Sequence, residues 1–263
     1  MIFKTHNITF HLKALVFLTL VLFSFAGCSS DKKAKRILFI GNSYTYRNNM
    51  PLLFEKIAQS KGKSVEVCAV TTGRFNFFKH AHSMKVIESL KNEKWDVIIL
   101  QGSSRDMLRD SSFFNHKTYP AVSKLMSYIQ KFQKSSQTYF YMTWPYRNGV
   151  RKDMRFSNPD TMLLAVENGY NILSAKYQVP IIPVGKVFRS FYKNNPQIDL
   201  YVRDNSHPSF YGSYLVACTM YEAIFKKPLH AIPDFSIGVN QPQQKIQHFI
   251  NQQFKFIRKT STY

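Results

Sequence analysis

Apolar, strand-like runs alternating with helix-patterned stretches predict an α/β fold, a three-layer α/β/α domain on a doubly wound, parallel five-stranded sheet. Three observations carry this expectation. The runs Ile37-Leu38-Phe39-Ile40 and, within Trp95–Leu100, Val97-Ile98-Ile99-Leu100 are apolar at consecutive positions, as in strands covered on both faces. Helix-patterned stretches separate the strand-like runs along the chain. No internal repeat or low-complexity linker divides the segment 36–263, and its length suits one domain with a substantial core.

In order, Arg36–Ile40 is the first strand, and Pro51–Lys61 a helix with Leu52, Leu53, Phe54, Ile57 and Ala58 expected on its buried side. Ser64–Val70 is the second strand. Lys85–Lys91 is a short helix leading to the third strand, Trp95–Leu100. Pro120–Phe132 is a helix, Gln137–Thr143 the fourth strand, Asp160–Tyr177 a long helix and Val179–Val184 a short fifth strand. Ser209–Phe225 is a helix. Residues 243–257 carry Ile246, Phe249, Ile250, Phe254 and Ile257 at helical spacing, an amphipathic C-terminal helix expected to pack on the core.

Residues 1–27 read as a targeting segment. Lys4 and Lys13 form a positive start without acidic residues, and Leu15–Phe23 is an apolar run too short for a comfortable membrane span. Phe25-Ala26-Gly27-Cys28 resembles a bacterial lipobox, in which cleavage precedes the Cys and its sulfur is lipidated; the alternatives are a plain secretory signal or an anchor helix. Residues 28–35 then form the lipidated Cys28 and a polar tether. The expected location is the bacterial cell envelope, with the membrane as partner through the lipid.

The chain carries 36 Lys and Arg against 15 Asp and Glu, a net charge of +21. Such a surface suits anionic glycans or a membrane face, or is merely solvated. Nucleic acid is not an expected partner, because no recognised binding motif is present. Cys68 and Cys218 both lie in apolar runs and are expected to be buried small hydrophobes. Their spacing offers no zinc site, and no cofactor is expected.

Asp204-Asn205-Ser206-His207 places a carboxylate three residues before an imidazole, ahead of Pro208 and an apolar helix pattern. An Asp so placed can orient the imidazole, which can then take a proton from a distant serine. Ser43, in Gly41-Asn42-Ser43-Tyr44 directly after the first strand, is that serine. It stands where α/β sheets build their sites. A serine hydroxyl is inert without an adjacent base, so the pairing of Ser43 with His207 points to nucleophilic catalysis.

From about Arg36 to Phe225 the chain resembles the SGNH (GDSL-like) hydrolase superfamily, whose fold is a flavodoxin-like three-layer sandwich. Gly41-Asn42-Ser43 is similar to the family's Gly-Asp-Ser block with Asn for Asp, and Asp204-x-x-His207 matches its last block. Thr71-Thr72-Gly73 is similar to the block whose Gly supplies an oxyanion N–H. The Gly-x-Asn-Asp block is missing. Gln101-Gly102-Ser103-Ser104 stands in its place, similar to carbohydrate acetylesterase branches in which a Gln replaces the Asn donor. The resemblance implies Ser43 as nucleophile, His207 as base and Asp204 as its orienter. It also implies an oxyanion hole of the Ser43 and Gly73 N–H groups and the Gln101 amide, with Ser104 as competitor to Gln101.

The function implied is a serine ester hydrolase working through an acyl-enzyme, deacetylating a glycan or other small acyl ester. The alternatives are a catalytically silent glycan-binding surface lipoprotein, or an acyltransferase or lipid esterase on the same fold. Among weaker candidates, His82 would contribute to a pocket floor, the alternative being that His80 and His82 are both exposed loop histidines. Trp144 in Trp144-Pro145-Tyr146 would face a sugar ring or pack under a loop, and Arg105 and Arg109 would bind an anionic substrate or be solvated.

Overall fold

β1 (Lys35–Gly41) is the strand from which the sheet is wound in both directions, because the strand order is β2-β1-β3-β4-β5. The coordinates are a computed structural model that describes residues 33–230 and 241–262. The proposed signal peptide, Cys28 and most of the tether lie outside the described residues.

The strands β2 (Val65–Thr71), β3 (Val97–Leu100), β4 (Gln137–Tyr141) and β5 (Ile181–Ile182) all run parallel to β1. Ile37 pairs with Val97 on one side of β1 and with Val67 on the other. The chain leaves β1 towards β2 and then crosses back to β3, so the strand order reverses between β1 and β3. A crevice opens at the carboxyl ends of the strands at such a reversal.

Alternate residues of β1 feed two cores. Ile37 and Phe39 pack against α2 (Met50–Ser60), α7 (Val184–Asn194), α8 (Phe210–Phe225) and α9 (Gln241–Thr260). Leu38 and Ile40 pack against α4 (Met84–Asn92), α5 (Tyr119–Phe132) and α6 (Pro159–Tyr177). Consecutive apolar residues are therefore needed, because both faces of the strand are covered. The elements α1 (Ser43–Tyr46) and α3 (Phe77–Ala81) are single turns that follow β1 and the β2 loop.

Four sequence expectations need correction. Leu52 is exposed at 40 %, because the helix seam uses Met50, Leu53, Phe54, Ile57 and Ala58 and leaves position 52 outside it. Cys68 is exposed while Cys218 is buried, and both thiols are free. β2 is an edge strand with one face uncovered, so an apolar run there does not imply burial. The fifth strand contracts to Ile181–Ile182 because Pro180 and Pro183 flank it and cannot donate to a ladder. Helix α7 then starts after Pro183; its Val184, Val187, Phe188 and Phe191 fall on one face at helical spacing.

His80 is not the exposed loop histidine expected: it lies on α3, buried at 1 % exposure with an edge contact to Phe75. Neither ring nitrogen has a hydrogen-bond partner among the described residues. Burial pushes its pKa down to about 4. The unfolded chain therefore binds a proton below about 6.5 that the folded chain refuses until about 4, so stability falls as pH drops through that window. The loss should reach about 3 kcal/mol by pH 4. His80→Leu keeps the packing and should flatten this part of the profile. Urea unfolding of both proteins across that range checks it, and parallel curves would refute the assignment.

Candidate active site

The nucleophile turn is shaped by what surrounds Gly41. A Cβ there would fall onto Thr45 Oγ1 and lie 2.7 Å from Gln101 Oε1, so glycine is required by close approach alone. Asn42 ends the strand in an extended conformation, and its side-chain oxygen accepts from the Tyr44 N–H at 3.0 Å, capping α1. Its amide donates to the Phe75 carbonyl at 2.8 Å, tying the nucleophile turn to the loop after β2. Asn in place of Asp thus supplies a donor that a carboxylate lacks.

Ser43 is half-buried at the head of α1, and its Oγ lies 2.7 Å from His207 Nε2. The other ring nitrogen, Nδ1, lies 2.6 Å from Asp204 Oδ2. Asp204 Oδ1 accepts from the backbone N–H groups of Ser206 at 2.9 Å and His207 at 2.8 Å. Burial opposes ionisation of this carboxyl, but the hydrogen bonds from His207 and Ser206 outweigh it and hold its pKa below the usual range. An ionised Asp204 only accepts, so Nδ1 carries the proton and Nε2 presents its lone pair to the Ser43 hydroxyl. This arrangement can remove the Ser43 proton and return it to a leaving group.

The loop that carries Asp204 and His207 is held from two sides. Asn205 sits in the left-handed region with φ 60°, a conformation that Asn tolerates better than most residues. Its carbonyl accepts from the Arg147 N–H at 2.8 Å. Trp144 donates from Nε1 to the Ser206 carbonyl at 3.0 Å, and the Tyr44 hydroxyl lies 2.6 Å from Ser206 Oγ. On the other side Asn48, also left-handed, donates to the carbonyls of Pro208 and Ser209 at 3.2 and 3.0 Å. These contacts fix the imidazole relative to the serine across 164 residues of chain.

Gln101 is not presented to the site as expected. It is fully buried, and its Oε1 accepts from the Asn42 N–H at 2.8 Å and the Thr45 hydroxyl at 3.0 Å. Its Nε2 donates to the Gly102 carbonyl. The amide braces the nucleophile turn from behind and is not aimed at an oxyanion. Ser104 lines the cleft but is no substitute, since the residue is 4 % exposed and its hydroxyl pairs with Thr143 Oγ1 at 2.9 Å and the Trp144 carbonyl at 3.4 Å. From the turn after β2, Arg74 and Asn76 line the cleft while Gly73 is exposed outside its wall.

Trp144 is also displaced from its expected role. It is fully buried, sandwiched between Tyr44 at 4.4 Å and Phe188 at 4.5 Å, with near-parallel rings. It offers no face to a sugar. His82 is exposed, with Nδ1 2.8 Å from the Phe78 carbonyl, and does not line the cleft.

The cleft at the sheet edge has a volume of about 800 Å³ and includes Ser43, His207, Tyr44, Tyr146 and Ser206. Of the Trp144-Pro145-Tyr146 run expected to offer aromatic faces, Tyr146 lines the cleft. Sequence reasoning missed Tyr44, Asn76 and Ser206, which lie within or close to the motifs, because only chain folding shows which of these residues face inward. Among the described residues no His, Cys, Asp and Glu cluster can hold a metal ion.

No family model matches the sequence, and no curated protein matches it. Solved structures do. A DUF4886 family protein from Bacteroides uniformis shares the fold at TM-score 0.72 and 18 % identity, over 86 % of this chain and 97 % of that one. A putative SGNH hydrolase from Slackia heliotrinireducens is 27 % identical at TM-score 0.59, over 72 % of this chain and 98 % of its own length. An acetyl xylan esterase shares the fold at TM-score 0.54 and 18 % identity, over 72 % of this chain and 99 % of that one. The chain has the fold of the SGNH (GDSL-like) hydrolases. Its Ser and Asp-x-x-His blocks follow the order that the sequence resemblance implied, and they meet at the carboxyl edge of the sheet.

Proposed function

We propose that this protein is a serine ester hydrolase that works through an acyl-enzyme. The observation that carries the reading is the relay itself, with Ser43 Oγ 2.7 Å from His207 Nε2 and His207 Nδ1 2.6 Å from Asp204. In this reading Ser43 attacks the ester carbonyl as His207 takes its proton. His207 then protonates the leaving alcohol, while Asp204 stabilises the imidazolium. Water, activated by the same imidazole, releases the acid. The Ser43 N–H at the head of α1 has no hydrogen-bond partner among the described residues and is available to the oxyanion.

The acyl group is small and the alcohol a glycan in this proposal, supported by the fold shared with an acetyl xylan esterase. The protein acts outside the cytoplasm, anchored through Cys28. No helix among the described residues is long and apolar enough to cross a membrane. A fluorophosphonate probe should label Ser43 in the wild type, with acetate released from acetylated oligosaccharides. Failure of both would favour a silent glycan-binding protein. Cys28→Ala should leave the protein out of the membrane fraction; unchanged fractionation would remove the anchor.

A further inference from the structure

Beyond the relay, the cleft is lined by cations from two separate loops. Arg74 and Lys79 come from the loop after β2 and the turn α3 that follows it, and Arg105 and Arg109 from the turn after β3. The loops are joined directly, since Asn76 Nδ2 donates to Asp106 Oδ2 at 2.8 Å. With 36 Lys and Arg against 15 Asp and Glu, few basic side chains find a carboxylate: among the described residues Arg36 bonds Glu66 and Glu93, Arg147 bonds Asp199, Lys186 bonds Glu167, and Arg189 and Lys193 share Asp160. What distinguishes the cleft is that several such cations gather on one surface, where Arg155 bonds Asp153 at 2.8 Å and His207 bonds Asp204. Two other carboxylates line this wall: Asp106 accepts from Asn76 and feels the nearby charges of Arg109 and Lys79, and Asp110 caps Phe113 N at 2.8 Å. Among the described residues Arg74, Lys79, Arg105 and Arg109 form no ion pair.

Two of these cations are held in place without a direct carboxylate contact. The Arg109 guanidinium lies over the Phe113 ring at 5.0 Å, and the Lys79 ammonium over Phe75 at 5.7 Å. Arg74 occupies the left-handed region with φ 61°, where glycine is less strained. A neutral sugar has no use for this wall. Guanidinium groups with free donors recognise planar or tetrahedral anions by charge-assisted hydrogen bonds.

We infer that the cleft takes esters whose alcohol moiety carries a negative charge, a carboxylate, sulfate or phosphate gripped by Arg74, Lys79, Arg105 and Arg109. The inference rests on the esterase reading and narrows its substrate class. The anion docks on these cations, and the acyl carbonyl is then presented to Ser43 in the same cleft.

The test compares kcat/KM for acetylated oligosaccharides of equal length that are neutral, uronate-bearing, sulfated or phosphorylated. The wild type should favour an anionic set over the neutral one by roughly 10–100-fold, and less at high salt. The preferred anion identifies the source of the charge. Arg105→Ala with Arg109→Ala should lower the anionic-to-neutral ratio by about tenfold or more. Lys91→Ala with Lys131→Ala, which removes the same charge at exposed positions outside the cleft, should leave the ratio as it is. A labelled Ser43 with a ratio blind to charge, salt and the arginine changes overturns this inference alone. An unlabelled Ser43 without turnover of any ester overturns the esterase reading and this inference with it.

Discussion

Ser43→Ala should lower kcat for a small acetyl ester by roughly 10⁶-fold while the domain still folds, because the nucleophile acts only as one unit with His207 and Asp204. Ser43 is a half-buried side chain whose hydroxyl bonds only the imidazole among the described residues. Its loss should therefore cost stability no more than about 1 kcal/mol. Asp204→Asn should cost roughly 10⁴-fold, since an amide in that place can donate to Nδ1 and turn the wrong tautomer towards the serine. The same substitution removes the charge that stabilises the imidazolium, so KM should move much less than kcat. Steady-state kinetics with fluorophosphonate labelling measures both. Turnover surviving Ser43→Ala within about tenfold would mean that the chemistry lies elsewhere in the cleft.

Gln101→Ala should be the most damaging substitution outside the triad, and its signature should be structural before it is kinetic. The amide oxygen satisfies the Asn42 N–H and Thr45 hydroxyl, and the amide nitrogen the Gly102 carbonyl, all in a fully buried place. Each polar group left bare there costs about 1–3 kcal/mol, so a loss on the order of 4 kcal/mol is expected. Activity should fall with it, because the Asn42 N–H fixes the backbone that aims Ser43. Gln101→Glu keeps the acceptor and should retain more of both than Gln101→Ala. Thermal unfolding and kcat measured together decide the matter. A large fall in kcat with unchanged Tm and KM would make Gln101 a direct oxyanion donor instead, the role the structure denies it.

The sequence by itself determined the layered fold and the pairing of serine with histidine. Consecutive apolar residues at Ile37–Ile40 and Val97–Leu100 suit strands covered on both faces, so the sheet type follows from local pattern. The Asp204-x-x-His207 spacing is likewise local: three residues suffice for one carboxylate to bond both the imidazole and its own backbone. Ser43 after the first strand needed only the rule that such sheets carry their sites at carboxyl ends. Helix α7 escaped that reading: Val184, Val187, Phe188 and Phe191 stand at helical spacing, but the adjoining apolar strand masked its start.

What only the tertiary structure decided is the direction in which polar and aromatic side chains face. Gln101 at a strand end reads equally as a donor into the cleft or a brace behind it. The Asn42 N–H, 59 residues away, selects the brace because a buried donor must be satisfied. Trp144 reads as a sugar platform until Tyr44 and Phe188 close on both of its faces. Cys68 reads as core until the strand order places β2 at the edge. Arg74, Lys79, Arg105 and Arg109 are scattered charges in the chain and become one wall only when the loops after β2 and β3 meet through Asn76 and Asp106. Periodicity constrains burial along one element, whereas satisfaction of hydrogen bonds and charges depends on partners that the sheet brings together from distant parts of the chain.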